Sequence, residues 1–175
     1  MMLSGRRSPR LPHNFITPEG NAMSTDTPFM RGFLGALIFT ERCSSVTMSE
    51  WHDSLVIGAG LSDGAIPSDA CTEHLDPGDV ARIAEAVAKW QADNALLLAI
   101  AYHRGYTEER AGHDLWLTAH GHGAGFWDRE ELREDALGDA LTTKAHDFQQ
   151  CEVYVRQHDA GIEQQELVIG IDQWM

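Results

Sequence analysis

The stretch PGDVARIAEAVAKWQADNALLLAIAY, residues 77–102, decides the fold class of this chain. Its large apolar side chains recur at intervals of three and four residues, as on the buried face of an amphipathic helix. Ile83, Val87 and Trp90 lie on this stripe, and Gly105 provides a left-handed cap after it. The pattern predicts one long helix over residues 77–102, with the rest of a domain packed around it.

Two further segments carry a helical signal. Thr27 followed by Pro28 predicts the start of a first helix, because threonine caps and proline fits the first helical position. Asp128 and Glu131 have the spacing of a capping box and predict the start of a third helix. The apolar faces expected to be buried are Phe29, Phe33, Leu34, Leu37 and Ile38 in the first helix and Leu132, Ala136, Leu137, Ala140, Leu141, Ala145 and Phe148 in the third.

The segment 114–128 favours a β-hairpin. DLWLT (114–118) and AGFWD (124–128) carry aromatic residues on either side of the glycine-rich stretch AHGHG (119–123). The alternative is a helix that continues to Leu117, because Ala111, Leu115 and Trp116 also have helical spacing.

A second hairpin is predicted near the end of the chain. CEVYV (151–155) alternates apolar and polar residues and predicts one strand. HDAG (158–161) has the composition of a turn, and LVIGI (167–171) predicts the second strand. With the three helices, the two hairpins predict an α+β fold: a small antiparallel sheet covered on one face by helices.

The length of 175 residues suits one domain. Residues 1–22 hold three arginines, one acid and no apolar period, so we expect a disordered basic extension. Residues 23–175 then form a single acidic α+β domain, in which residues 41–76 are a long loop or insertion rich in Ser, Gly, Asp and Pro.

The charge balance limits the classes of molecule that this chain can bind. The chain has 13 basic and 27 acidic residues and a net charge of −14, and removing the basic extension takes this to −16. Direct binding to nucleic acid or to an anionic membrane is disfavoured, since both need clustered Lys and Arg. Three widely separated cysteines and the lack of a long apolar run favour a reduced, cytoplasmic protein.

One polar cluster suggests a metal. His113, Asp114, His122 and Asp128 surround the predicted hairpin, and His120 forms an HxH pair with His122. Imidazole and carboxylate groups bind divalent transition metals when three or four of them converge. The alternative is structural: His120 is an exposed turn residue and His122 bonds the neighbouring backbone, while Asp114 and Asp128 cap helices or turns.

The predicted third helix would expose an acidic face. Glu130, Glu131, Glu134 and Asp135 fall within its first two turns, with carboxylates spaced closely like a row of phosphates. Trp116 and Trp127 would lie beside this face, either as core or as aromatic anchors for a partner. The alternative for the acids is a solvated face that favours solubility and suits the helix dipole.

The stretch AGHDLWLTAHGHGAGFWDRE (111–130) resembles the signature of a family of small acidic proteins from bacteriophages and other mobile elements. The likeness extends over most of the chain from about Phe29. It departs at Ala119 and His120, where the family usually has Arg-Asn, and in a longer final hairpin. The resemblance implies a phage or prophage gene and, by analogy, host takeover or counter-defence, with imitation of DNA as one route.

Two functions are therefore expected. The first is a non-enzymatic phage-derived binding or inhibitor protein, without cofactor, whose acidic surface engages a basic host protein. The alternative is a metal-binding module or metal-dependent enzyme that uses His113, Asp114, His122 and Asp128. Homodimerisation stays open.

Overall fold

A computed structural model describes residues 26–42, 47, 66–159 and 165–173. Within these ranges the fold is mostly helical, with one two-stranded antiparallel sheet and several short 3-10 turns. The elements in chain order are α1 (Pro28–Glu41), the 3-10 turn Thr72–His74, α2 (Pro77–Asp93), α3 (Ala95–His103), α4 (Glu108–Ala119), the 3-10 turns Phe126–Asp128, Glu130–Leu132 and Glu134–Ala136, α5 (Leu137–Ala145), β1 (Cys151–Asp159) and β2 (Gln165–Gln173).

The first helix begins as predicted and packs closely on α4. Thr27 Oγ1 accepts a hydrogen bond from Met30 N at 3.1 Å. A Cβ added to Gly32 would lie 1.8 Å from Glu109 O, and one added to Gly112 would lie 1.9 Å from Phe29 O. The two helices can approach this closely only because each presents a glycine to the backbone of the other.

The long helix predicted over 77–102 is wrong in one respect, since it breaks at Asn94 into α2 and α3. Asn94 has φ −116° and ψ 17°, and its Nδ2 donates to Trp90 O at 2.8 Å. Asparagine is a weak helix former because its side chain competes for backbone groups. The start at Pro77 is confirmed, with Asp76 as the N-cap.

The hairpin predicted over 114–128 is also wrong, and the helical alternative is found. Residues 108–119 form α4, which ends at a turn where Gly121 has φ +71°. The helix is favoured because it places Ala111, Leu115 and Trp116 together in the core, where each is fully buried.

The third helix starts later than predicted. Asp128 and Glu131 do not form a capping box, and residues 126–136 make three 3-10 turns that end with Asp135 and Ala136 at φ 57° and 55°. Regular helix begins only at Leu137. The capping box is lost because Glu131 bonds Arg110 on another helix instead.

The final hairpin is confirmed, but its strands are longer than predicted: β1 and β2 pair from Cys151↔Gln173 to Asp159↔Gln165, so His158 and Asp159, predicted in the turn, lie in β1. Its buried residues Val153, Ile169 and Ile171 face the helices. Asp76 N donates to Ile169 O at 2.9 Å, and Asp79 Oδ2 accepts from Ile171 N at 3.1 Å. The start of α2 therefore holds the edge of the sheet.

The expected extension at residues 1–22, most of the expected loop at 41–76 and the tip of the final hairpin lie outside the described residues. Among the helices that are described, none combines the length and the apolar character needed to cross a bilayer.

Candidate functional site

The centre of the signature stretch is a buried carboxylate. Asp114 lies on the inner face of α4 and is 1% exposed. Arg129 donates to it twice, from Nε to Oδ2 and from Nη2 to Oδ1, each at 2.5 Å. Tyr106 Oη donates to Oδ2 at 2.5 Å, and His113 Nδ1 lies 3.1 Å from Oδ1. Both oxygens of Asp114 are therefore occupied by protein donors.

These contacts fix the ionisation of the cluster. Burial alone would raise the pKa of Asp114, but the hydrogen bonds from Arg129, His113 and Tyr106 outweigh it and lower the pKa to about 2. Burial and the adjacent negative charge of Asp114 raise the pKa of Tyr106. The bond to Asp114 likewise raises the pKa of Arg129. At neutral pH the cluster is thus a carboxylate held by a guanidinium and a neutral phenol.

Sequence reasoning missed Tyr106 and Arg129 as partners of Asp114. The available signal was the position of Asp114 among Ala111, Leu115 and Thr118 on an apolar helix face. A charge at such a position needs a partner of opposite sign. The signature stretch itself contains that partner in Arg129, fifteen residues further on.

The glycine-rich turn after α4 is shaped by close contacts. Phe126 N donates to Thr118 Oγ1 at 3.3 Å, and Gly125 N donates to Asp128 Oδ1 at 3.3 Å. A Cβ on Gly125 would lie 2.4 Å from both Thr118 Oγ1 and the Trp127 ring. This part of the signature therefore seats Phe126 in the core, where its ring stacks at 6.1 Å on that of Trp90.

The structure does not bring the predicted metal set together. His113 and Asp114 touch, but Asp114 has no oxygen left for an ion, and Asp128 binds backbone and lies 3.5 Å from Arg129 Nε. Nε2 of His122 is buried without a hydrogen-bond partner among the described residues. In the described part of the chain, no group of three or more His, Cys, Asp or Glu side chains is placed to hold a metal ion.

His120 is not the exposed turn residue expected from the sequence. Its ring stacks on Trp116 with centroids 3.6 Å apart. Nδ1 lies 2.9 Å from Trp116 O, and Nε2 accepts a hydrogen bond from Cys151 N at 2.9 Å. Burial, opposed by these bonds, lowers the pKa of His120. The neutral ring therefore joins the end of α4 to the start of β1.

Residues 128–135, here named the acidic segment, hold five acidic side chains together with Arg129, Leu132 and Arg133, and they are bound by Arg110 of α4 and by Arg104 at the end of α3. Arg110 forms an ion pair with Glu131. Arg104 donates to Glu134 O at 2.8 Å and to Asp135 Oδ2 at 2.7 Å. Glu130 and the side chain of Glu134 are exposed and form no ion pair with any described residue. Part of the predicted acidic face is thus neutralised, and the rest is presented to solvent.

The two tryptophans of the signature have different roles. Trp116 is fully buried, packs edge-on against Phe33 at 5.4 Å, and donates from Nε1 to Thr40 Oγ1 at 2.8 Å. Trp127 is 40% exposed and adjoins the acidic segment. Of these two tryptophans, both predicted as possible contacts for a partner, only Trp127 is exposed enough for a partner to contact its ring.

Comparison with known proteins adds no relative: no family model, no curated protein and no solved structure matches this chain.

Proposed function

We propose that this chain is a non-enzymatic binding protein whose acidic segment, with Trp127 beside it, engages the basic face of a protein partner. The observation that carries the proposal is that Glu130 and Glu134 are exposed and make no ion pair with any residue that the structure describes, next to a tryptophan that is 40% exposed. Carboxylates at a rim speed association with a basic surface, and a half-exposed aromatic ring supplies affinity at its centre.

The buried cluster supports a binding role over a catalytic one. Asp114 is the most buried acid of the signature, and both of its oxygens accept hydrogen bonds from Arg129, Tyr106 and His113. A general base or metal ligand needs an open lone pair directed at a reacting atom. Here the cluster holds the acidic segment against α4, which pre-orders the proposed surface before a partner arrives.

The geometry of the surface limits how it could imitate DNA. The carboxylates lie on 3-10 turns and not on the regular helix that the sequence predicted. The proposal therefore depends on charge and on Trp127, and the partner is a protein with a clustered Lys and Arg face, such as one that binds nucleic acid. The resemblance to mobile-element proteins adds the proposal that this partner is a bacterial host protein, met in the cytoplasm.

The test is capture of basic proteins from a bacterial lysate by the full chain across a salt series. We expect capture at about 0.05 M salt that declines steeply by about 0.5 M, because screening weakens contacts between exposed charges. The double variant Glu130→Gln/Glu134→Gln and the single variant Trp127→Ala should each reduce capture.

The matched control is Glu73→Gln/Glu85→Gln, which removes the same charge from exposed sites on other elements. If both double variants capture the same amount of basic protein, binding depends on net charge alone, which would contradict the proposed surface. Capture that does not depend on salt, or no captured basic protein, would do the same.

A further inference from the structure

An open cavity of about 430 Å³ lies between the C-terminal ends of α2 and α5. Small-molecule sites in proteins commonly measure about 300–1,000 Å³. Its apolar lining comes from Trp90, Phe148 and Ala86. Trp90 is fixed from behind, since its Nε1 donates to Lys144 O at 2.9 Å and its ring stacks on Phe126. The cavity thus has a rigid aromatic floor.

Both lysines of the chain, Lys89 and Lys144, line this cavity. Each has a carboxylate beside it that lines the cavity too: Lys89 Nζ is 2.5 Å from Asp93 Oδ2, and Lys144 Nζ is 3.9 Å from Asp147 Oδ2. In a protein with a net charge of −14, the rim of this cavity is balanced, with two positive and two negative groups.

A buried amide also faces the cavity. Asn94 is 6% exposed, and its Nδ2 donates to Trp90 O. Its carboxamide oxygen accepts no hydrogen bond from any residue that the structure describes. This oxygen is open to the cavity, and an N–H donor on a ligand would replace water as its hydrogen-bond partner.

We propose that this cavity binds a small zwitterion of the α-amino-acid class with an apolar side chain. The ammonium group would lie near the Asn94 oxygen and the Asp93 carboxylate. The carboxylate would lie between Lys89 and Lys144, and the apolar side chain would pack on Trp90. A simple anion would meet the two carboxylates of the rim and the C-terminal end of α5, and a simple cation would meet two ammonium groups.

The experiment is an NMR titration of the full chain with L-phenylalanine, in which the indole N–H signal of Trp90 is followed. We expect saturable shifts with a Kd of about 1 mM or tighter. Lys89→Gln and Lys144→Gln should each weaken binding about tenfold, because each removes a charge-assisted hydrogen bond. Arg133→Gln is the matched control: it removes one positive charge from an exposed site away from the cavity and should leave the Kd unchanged.

Three further probes test the charge pattern: phenethylamine, N-acetyl-L-phenylalanine amide and inorganic phosphate. Each lacks part of the zwitterion, and each should bind at least about tenfold more weakly than L-phenylalanine. The proposal is overturned if shifts do not saturate below about 10 mM, if neither lysine variant differs from the control, or if any of the three probes binds as tightly as L-phenylalanine.

Discussion

Replacing Asp114 by asparagine removes one negative charge from the interior while keeping the size of the side chain. The carboxylate accepts two hydrogen bonds from Arg129 and further ones from Tyr106 and His113. Removing one partner of a buried ion pair lowers the free energy of unfolding by about 3–5 kcal/mol. Because 22% of the Arg129 side chain remains in contact with water, we expect a loss at the lower end, about 3 kcal/mol.

Urea unfolding followed by circular dichroism measures this loss. With a urea slope of about 2 kcal/mol/M, a loss of about 3 kcal/mol lowers the midpoint by about 1.5 M. Glu130→Gln is the matched control, since it removes the same charge from an exposed residue without an ion pair to any described residue. Its free energy of unfolding should stay within about 0.5 kcal/mol of the wild type.

A double-mutant cycle with Arg129→Gln isolates the pair itself. We expect a coupling free energy above about 1 kcal/mol, as is usual for contacting charges. If Asp114→Asn does not fold, Tyr106→Phe removes the hydroxyl that donates to Asp114 Oδ2 and also lies 3.2 Å from Arg110 O, and it should cost about 1–1.5 kcal/mol. A loss below about 1 kcal/mol for Asp114→Asn, or no coupling to Arg129, would refute the reasoning.

Three further predictions concern stability. The fold lowers the pKa of Asp114 from about 4 in the unfolded chain to about 2. The stability that Asp114 contributes is therefore present above about pH 4 and is lost as the pH falls toward 2. Urea midpoints measured between pH 5 and pH 2.5 should fall more steeply for the wild type than for Asp114→Asn. Gly32→Ala forces a Cβ against Glu109 O and should destabilise the protein by more than about 2 kcal/mol, whereas Gly35→Ala on the same helix meets nothing within 4 Å and should be neutral or stabilising by up to about 1 kcal/mol. The lowered pKa of His120 means that stability is complete above about pH 6.5 and declines below it; in His120→Gln, which cannot titrate, the decline in thermal midpoint between pH 7 and pH 5 should be smaller than in the wild type.

Much of the helical framework could be predicted from the sequence. The cap at Thr27, the start of α2 at Pro77, the apolar stripe of α2 and the final hairpin rest on local spacing, which short-range chemistry determines. The signature was harder to interpret. Its aromatic residues fit an alternating and a helical pattern equally well, and only the packing of α4 against α1 through Gly32 and Gly112 decides for the helix.

For the candidate site, the structure brings His113 and Asp114 into contact, does not assemble the rest of the predicted metal set among the described residues, and adds Tyr106 and Arg129, which the sequence analysis did not name. Asp128 and Glu131 have the spacing of a capping box, but Glu131 forms an ion pair with Arg110 and Asp128 accepts a hydrogen bond from Gly125 N. An arginine on a neighbouring helix competes with a local cap, and nothing in the spacing of the two acids reveals that competitor. The metal hypothesis met the same difficulty at Asp114, because Tyr106, eight residues before it, and Arg129, fifteen residues after it, occupy its oxygens together with the neighbouring His113.

The sequence by itself determined the strong negative charge, the starts of α1 and α2, the left-handed cap at Gly105 and the final hairpin, because these follow from residue type and local spacing. The tertiary structure alone decided that Arg129 neutralises Asp114, that Arg104 and Arg110 hold part of the acidic segment, and that Trp116 is buried while Trp127 is half-exposed. A buried charge must find its counter-charge within hydrogen-bond distance, and the chain supplies that partner only once distant segments have packed together.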